Sequence, residues 1–240
     1  LFDSSESSEQ TKLPIMNSTV RDHWWEVLKL ENAPGLAKTR WRILREGASL
    51  DEVLTAHPSR SSWQIIKQTG DMGSGAIKCL LQSNDFDDAC EMVVLFPKSG
   101  DRATVCVSSQ IGCAVGCQFC ATGTMGFQRN LTRYEILEQV YWARRVALQH
   151  ERSLRNVVFM GMGEPLHNIE EVWASIHCVI SDKGFGISPR SVTLSTALGG
   201  THFLETARQF PKLRLALSLH SVCSPVRKRL VPKSPSDMER

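Results

Sequence analysis

Hydrophobic and polar positions follow two periods along this chain, and the change between them divides it. From Val20 to about Gln68 apolar residues recur at helical spacing: Trp24, Val27 and Leu28, then Trp41 and Leu44, interrupted by Asn32-Ala33-Pro34-Gly35. Ser49 followed by Glu52 has the form of a capping box for a further short helix before His57-Pro58. Residues 19–69 therefore predict a small helical accessory module. The Ser- and acid-rich residues 1–18 before it predict a disordered tail. From Gly75 the period becomes two. Ala76–Leu81 and Ala89–Phe96 read as strands around a turn at Ser83-Asn84-Asp85, and Ala103–Val107 as a third strand. Thr132–Gln149 reads as a helix, with Thr132 and Glu135 placed as a capping box.

A regular alternation follows. Strand Asn156–Met160 leads through Gly-Met-Gly-Glu-Pro to a helix over Asn168–Ile180. Strand Ser191–Ser195 leads through a Gly-Gly turn to a helix over 201–209, and strand Leu213–Ser218 through Leu219-His220 to a short basic helix. With the Ala103–Val107 strand included, this repetition predicts an α/β fold with a parallel sheet in residues 70–240. In such sheets ligands gather at the C-terminal ends of the strands. A cluster of cysteines, Glu164, Ser195, Ser218 and His220 all fall there.

Composition narrows the picture modestly. A net charge of +3 does not by itself point to nucleic acid. The late basic residues Arg214, Arg227-Lys228-Arg229 and Lys233 read more readily as a solvated face than as an RNA site. The tryptophans likewise read as core before base-stacking platforms. No apolar run is long enough for a membrane helix, so no membrane partner is expected. Eight cysteines do not form a disulfide pattern, because Cys79, Cys106 and Cys178 sit in apolar stretches and three more share one loop. A reducing, cytoplasmic setting is expected. The chain begins at Leu1, which leaves room for a removed organelle address.

That loop is Cys113-Ala-Val-Gly-Cys117-Gln-Phe-Cys120, running on from the Ala103–Val107 strand. Its spacing suggests thiols facing one common point. A disulfide would strand the third sulfur, and zinc would want a fourth ligand that no nearby His supplies. An iron–sulfur cube held by three thiolates would keep one iron open for another molecule. Glu164, between Gly161 and Gly163, could accept from an ammonium group, and Ser195, Ser218 and His220 could bind hydroxyls or a carboxylate. Taken singly, each has a plain structural use. A zinc-stabilised, non-catalytic RNA-binding module stays open at this point.

The C-x3-C-x2-C loop with Phe119 before its last cysteine resembles the signature of the radical S-adenosylmethionine (SAM) superfamily. Its surroundings, Asp101–Cys113, Gly126–Leu131, Met160–Pro165, Val192–Thr196 and Leu217–His220, are similar to the adenine-C2 methyltransferases of ribosomal and transfer RNA and to their C8-methylating relatives. The likeness runs from about Gly70 to Pro232. It implies a partial (β/α)6-type barrel with an N-terminal helical extension. It also implies a [4Fe–4S] cluster on Cys113, Cys117 and Cys120, with SAM held by Gly163, Glu164, Ser195, Ser218, Leu219 and His220. Electron transfer to SAM, from a flavodoxin- or ferredoxin-like donor, would give a 5′-deoxyadenosyl radical. In the family this radical abstracts hydrogen from a methyl group carried on a cysteine near the C-terminus, and the resulting carbon radical adds to adenine. Cys106 would help resolve the protein–RNA adduct, and Glu91 is nearest to the family's general base, one position early in register. The implied partner is ribosomal or transfer RNA, and the protein is expected to be a monomer. Three departures accompany the likeness. The methyl-carrying cysteine belongs to a C-terminal region that this chain lacks, Cys223 does not align with it, and the N-terminal helices match only loosely. A paralogue with a different RNA modification is the alternative within the superfamily.

Overall fold

A computed structural model describes residues 63–234 apart from Asp85 and Lys183. The expected tail, and the accessory helices as far as residue 62, lie outside the described residues. Among the described residues nine strands and five α-helices follow in order: β1 (Trp63–Asp71), β2 (Ala76–Ser83), β3 (Ala89–Leu95), β4 (Arg102–Cys106), β5 (Gln110–Gly112), α1 (Ala121–Thr124), β6 (Phe127–Asn130), α2 (Arg133–Gln149), β7 (Ser153–Phe159), α3 (Ile169–Ile180), β8 (Val192–Thr196), α4 (Thr201–Gln209), β9 (Arg214–Leu217) and α5 (Ser224–Leu230).

Seven of the strands form one sheet in the order β1-β2-β3-β4-β7-β8-β9. The first four pair antiparallel as a meander, whereas β4, β7, β8 and β9 are parallel. The parallel half is the strand–loop–helix repeat read from the sequence. The helical module, however, cannot reach residue 69, because Trp63–Asp71 is strand β1. Its own residues are mostly polar and exposed, and pairing with β2 makes the strand rather than its hydrophobic pattern.

Alternation along the strands separates the two faces of the sheet. Cys79, Leu81, Met92, Val94, Ala103, Val105, Val157, Phe159, Val192 and Leu194 are buried on one face, in a core shared with Ile136, Val140 and Ala143 of α2 and Val172 and Ile176 of α3. The opposite face carries Lys78, Leu80, Glu91, Val93, Thr104, Cys106, Asn156, Val158, Thr193, Ser195 and Ala216, all partly or fully accessible. Helix α2 starts on the expected box: Thr132 accepts from the Glu135 amide, and the Glu135 carboxylate accepts from the Thr132 amide. Trp63, fully buried, donates from its indole to the Glu135 carbonyl (3.0 Å) and so serves the core.

Candidate functional site

The cysteine loop leaves the sheet at the C-terminal end of β4 and is closed by a two-stranded ribbon, β5 with β6. Gly112 makes that closure possible. It has φ +71°, and a Cβ there would lie 1.8 Å from the Gly126 carbonyl oxygen. Beyond it the Cys113 amide donates to that same carbonyl (2.8 Å). Between β4 and β5 the backbone has no ladder partner on every group, so buried side chains take over. Gln139 of α2 accepts from the Ser108 amide (2.7 Å) and donates to the Ser108 carbonyl (3.0 Å). Asn168 donates to the carbonyls of Ser109 (2.8 Å) and Leu131 (2.7 Å).

Cys113, Cys117 and Cys120 are partly exposed and free of disulfides. Burial pushes the Cys113 thiol up, and the nearby Glu164 and Cys120 charges add to this; for Cys117 burial is again first, followed by Cys113 and Cys120. Cys113 and Cys117 thus each sense neighbouring thiols. Among the described residues no group of three or more His, Cys, Asp or Glu side chains is arranged to hold a single metal ion. A multi-iron cluster takes one thiolate per iron, so its loop need not focus three sulfurs on a single ion. The donor set fits such a cluster: three partly exposed thiols, none in a disulfide, in a glycine-shaped loop.

The Gly-Met-Gly-Glu-Pro loop after β7 lies against the chain entering the cysteine loop. Gly163 has φ +94°, and a Cβ would come within 2.5 Å of Gln110 Cβ. The Met162 carbonyl accepts from the amides of Ser109 (2.8 Å) and Gln110 (3.2 Å), and the Glu164 amide donates to Gln110 Oε1 (2.8 Å). The Glu164 carboxylate is buried. Its Oε1 accepts from the Leu166 amide (3.1 Å) and its Oε2 from the Ala197 amide (3.0 Å), beyond β8. A carboxylate has about four lone-pair sites, so capacity for an ammonium group remains.

Ser195 at the end of β8 and Ser218 after β9 meet, Oγ to Oγ, at 3.2 Å. His220 adopts φ +59°, a left-handed conformation rare outside glycine, and its ring packs on Phe119 of the cysteine loop with centroids 4.2 Å apart. Leu219 lies between them, half-buried. The structure therefore brings Glu164, Ser195, Ser218 and His220 to the sheet edge that carries the thiols.

Cys106 and Glu91 stand on the sheet face opposite the helices. Cys106 pairs with Val93 across β3–β4, and Glu91, two residues along from Val93, shares its face. Glu91 reaches Lys78 Nζ at 2.9 Å, and its carbonyl accepts from Ser108 Oγ (2.6 Å). Burial pushes the Cys106 thiol up to about 11, partly offset by a hydrogen bond with the Met160 backbone.

Arg227 departs from the sequence reading. It is not on a solvated basic face but is 2% exposed, with its guanidinium donating to the carbonyls of Ala197, Ser218 (3.0 Å) and Leu219. Arg229 and Lys228 beside it are exposed as expected. Gln139 and Asn168 were also not singled out from sequence. Gln139 had a signal: it sits three residues after Ile136 and four before Ala143, on the apolar stripe of α2.

A family model described as the radical SAM superfamily matches residues 107–239, more than half of the chain. The chain belongs to the radical SAM superfamily. That superfamily works with a [4Fe–4S] cluster and SAM. Among curated proteins, the dual-specificity RNA methyltransferase RlmN of Oleidesulfovibrio alaskensis is 42% identical over 178 residues, 73% of this chain and 49% of its own length. A probable RNA methyltransferase of Rhodopirellula baltica is 40% identical over 81% of this chain and 52% of its own. RlmN 1 of Myxococcus xanthus is 38% identical over 88% and 57% respectively. The chain thus spans about half the length of the curated relatives it matches. A solved radical SAM methyltransferase from Sphaerobacter thermophilus superposes with a TM-score of 0.75 at 31% identity, covering 91% of this chain and 67% of that one. The partial-barrel reading of the fold agrees with that neighbour. No helix among the described residues is long and apolar enough to cross a membrane.

Proposed function

We propose that the chain forms the SAM-cleaving core of an enzyme that methylates adenine at C2 in ribosomal or transfer RNA. The observation that carries this reading is the convergence of four strand-end loops, those after β4, β7, β8 and β9, on one edge of the sheet. Cys113, Cys117 and Cys120 hold the cluster, and Gly163, Glu164, Ser195, Ser218, Leu219 and His220 hold SAM. The cluster, when bound and reduced by a flavodoxin- or ferredoxin-like donor, supplies the electron for reductive cleavage of SAM.

The chain's own residues then have separable tasks. Glu164 accepts from the SAM ammonium group while its backbone contacts keep it fixed. The Ser195–Ser218 pair offers hydroxyls at the strand ends. Cys106, whose thiol burial pushes up to about 11, can, once deprotonated, attack the sulfur of a sulfur-linked adduct, forming an S–S bond as the S–C bond breaks and its electron pair leaves on the adenine-bound carbon, which takes up a proton. Glu91, 2.9 Å from Lys78 Nζ and on the same sheet face as Cys106, is the candidate base. The names of the RNA methyltransferase relatives support RNA as substrate.

The test is anaerobic reconstitution with iron and sulfide, followed by reduction with SAM and with ribosomal or transfer RNA. For this chain the expected product is 5′-deoxyadenosine, with Cys117→Ala yielding none; RNA carrying 2-methyladenine is expected when the chain is joined to a C-terminal region that supplies the methyl-carrying cysteine. SAM cleavage by that joined protein without a methyl group at adenine C2 would replace this reading with a different RNA modification, and no cleavage at all would end it.

A further inference from the structure

One buried side chain bonds two of the four loops at the site and reaches a third through one residue, and nothing in the cluster or SAM assignments uses it. Arg227 is the single buried residue of α5. Its Nη1 donates to the carbonyls of Ser218 (3.0 Å) and Leu219, and its Nη2 to the carbonyl of Ala197. No carboxylate is paired with it among the described residues' ion pairs, so its fork is matched to backbone carbonyls alone.

Those carbonyls sit at informative places. Ala197 uses its amide on Glu164 Oε2 and its carbonyl on Arg227, so the arginine reaches the β7 loop through a single residue. The Ser218 and Leu219 carbonyls are both turned to one nitrogen, which fixes the two peptides before His220. His220 then takes its left-handed φ of +59° and lays its ring on Phe119. A non-glycine residue at positive φ is held there only when its surroundings over-determine it. The same short helix also reaches the fourth loop, for its last carbonyl, Leu230, accepts from the Gln118 amide between the cluster cysteines (3.0 Å).

We infer that Arg227 is a positioning residue for SAM. Its guanidinium sets the spacing of the Glu164, Ser195–Ala197 and Ser218–His220 loops so that the groups assigned to SAM are pre-formed before the ligand arrives. This rests on the SAM-binding reading above and adds to it a residue that touches neither SAM nor cluster. A planar fork spanning two loops is not replaced by one ammonium group, so Arg227→Lys keeps the charge and loses the spacing. Arg227→Ala leaves a hole of guanidinium size.

The experiment compares anaerobically reconstituted wild type, Arg227→Lys, Arg227→Ala and the exposed neighbour Arg229→Ala. Iron and sulfide content, thermal unfolding and SAM affinity by equilibrium dialysis are read separately. Expected are clusters at the wild-type level in all four and SAM affinity weakened about 10–100-fold in the two Arg227 variants only. Millimolar guanidinium is expected to restore affinity to Arg227→Ala and to leave Arg227→Lys unchanged. Wild-type SAM affinity in folded, cluster-loaded Arg227→Lys and Arg227→Ala overturns the inference. So does a loss of affinity that merely follows loss of cluster or of folded protein and is not rescued by guanidinium. If wild type itself holds a cluster and binds no SAM, the SAM reading fails first, and the Arg227 comparison is not what failed.

Discussion

The two faces of the seven-stranded sheet share a backbone and differ in nearly everything else. On the helix-covered face the parallel strands present Val105, Val157, Phe159, Val192 and Leu194, none more than 1% exposed. On the other face the same strands present Thr104, Cys106, Asn156, Thr193 and Ser195, all partly accessible, with Asn156 donating to Thr104 Oγ1 at 3.1 Å. Parallel strands are usually apolar on both faces because helices or a barrel interior cover both. Here alternation is kept because the uncovered face carries polar and reactive groups. The difference teaches that stability and chemistry are assigned to alternate residues of one strand, so neighbours in sequence should respond to mutation in unrelated ways.

The largest effect tests that division directly. Leu194→Ala removes a fully buried side chain and should cost about 2–5 kcal/mol in urea unfolding, whereas Thr193→Ala next to it should cost less than about 1 kcal/mol. Equal costs would break the comparison. Gln139→Leu sharpens it, because this polar residue belongs to the covered side yet serves the site. Leaving the Ser108 amide and carbonyl unpaired should destabilise the fold by about 1–3 kcal/mol and lower cluster content after reconstitution as well. A stability loss with normal cluster content would return Gln139 to a purely structural role.

The smallest effect lies away from both faces. Arg133 of α2 bonds the Glu171 carboxylate of α3 at 2.7 Å and thereby holds the Glu171 pKa below its ordinary value, against a smaller opposing effect of burial. A depressed carboxylate contributes stability above its unfolded pKa, and that contribution fades as pH falls through the folded value. With both side chains about one-third exposed, the contribution is expected to stay under about 1 kcal/mol. Glu171→Gln should flatten the acid limb of a stability–pH curve by that amount and leave neutral-pH behaviour of the site unchanged.

Much of this was legible in the sequence because alternation and capping are local signals. The capping box at Thr132 and Glu135 formed as read, helix α4 runs over the expected residues 201–209, and the strand-end motifs lie on one edge. Other features depend on partners that local patterns do not name. Strand β1 exists through its pairing with β2, since only Trp63 in it is buried. The β5–β6 ribbon has strands of three and four residues, too short to show a period. Arg227 lies in a basic triplet whose composition reads as surface, and only the positions of three carbonyls on two distant loops turn it inward. The thiols, read from spacing as facing one point, sit in a loop closed by that ribbon, a pairing their spacing does not show.

The central claim is that the cysteine loop and the strand-end residues form one site. The most direct measurement is the electron paramagnetic resonance spectrum of the reconstituted, reduced protein with and without SAM. The account predicts a reduced [4Fe–4S] signal in wild type that changes on adding SAM, a signal in Glu164→Ala that changes little at the same SAM concentration, and no cluster signal in Cys117→Ala. A wild-type cluster signal identical with and without saturating SAM would contradict it.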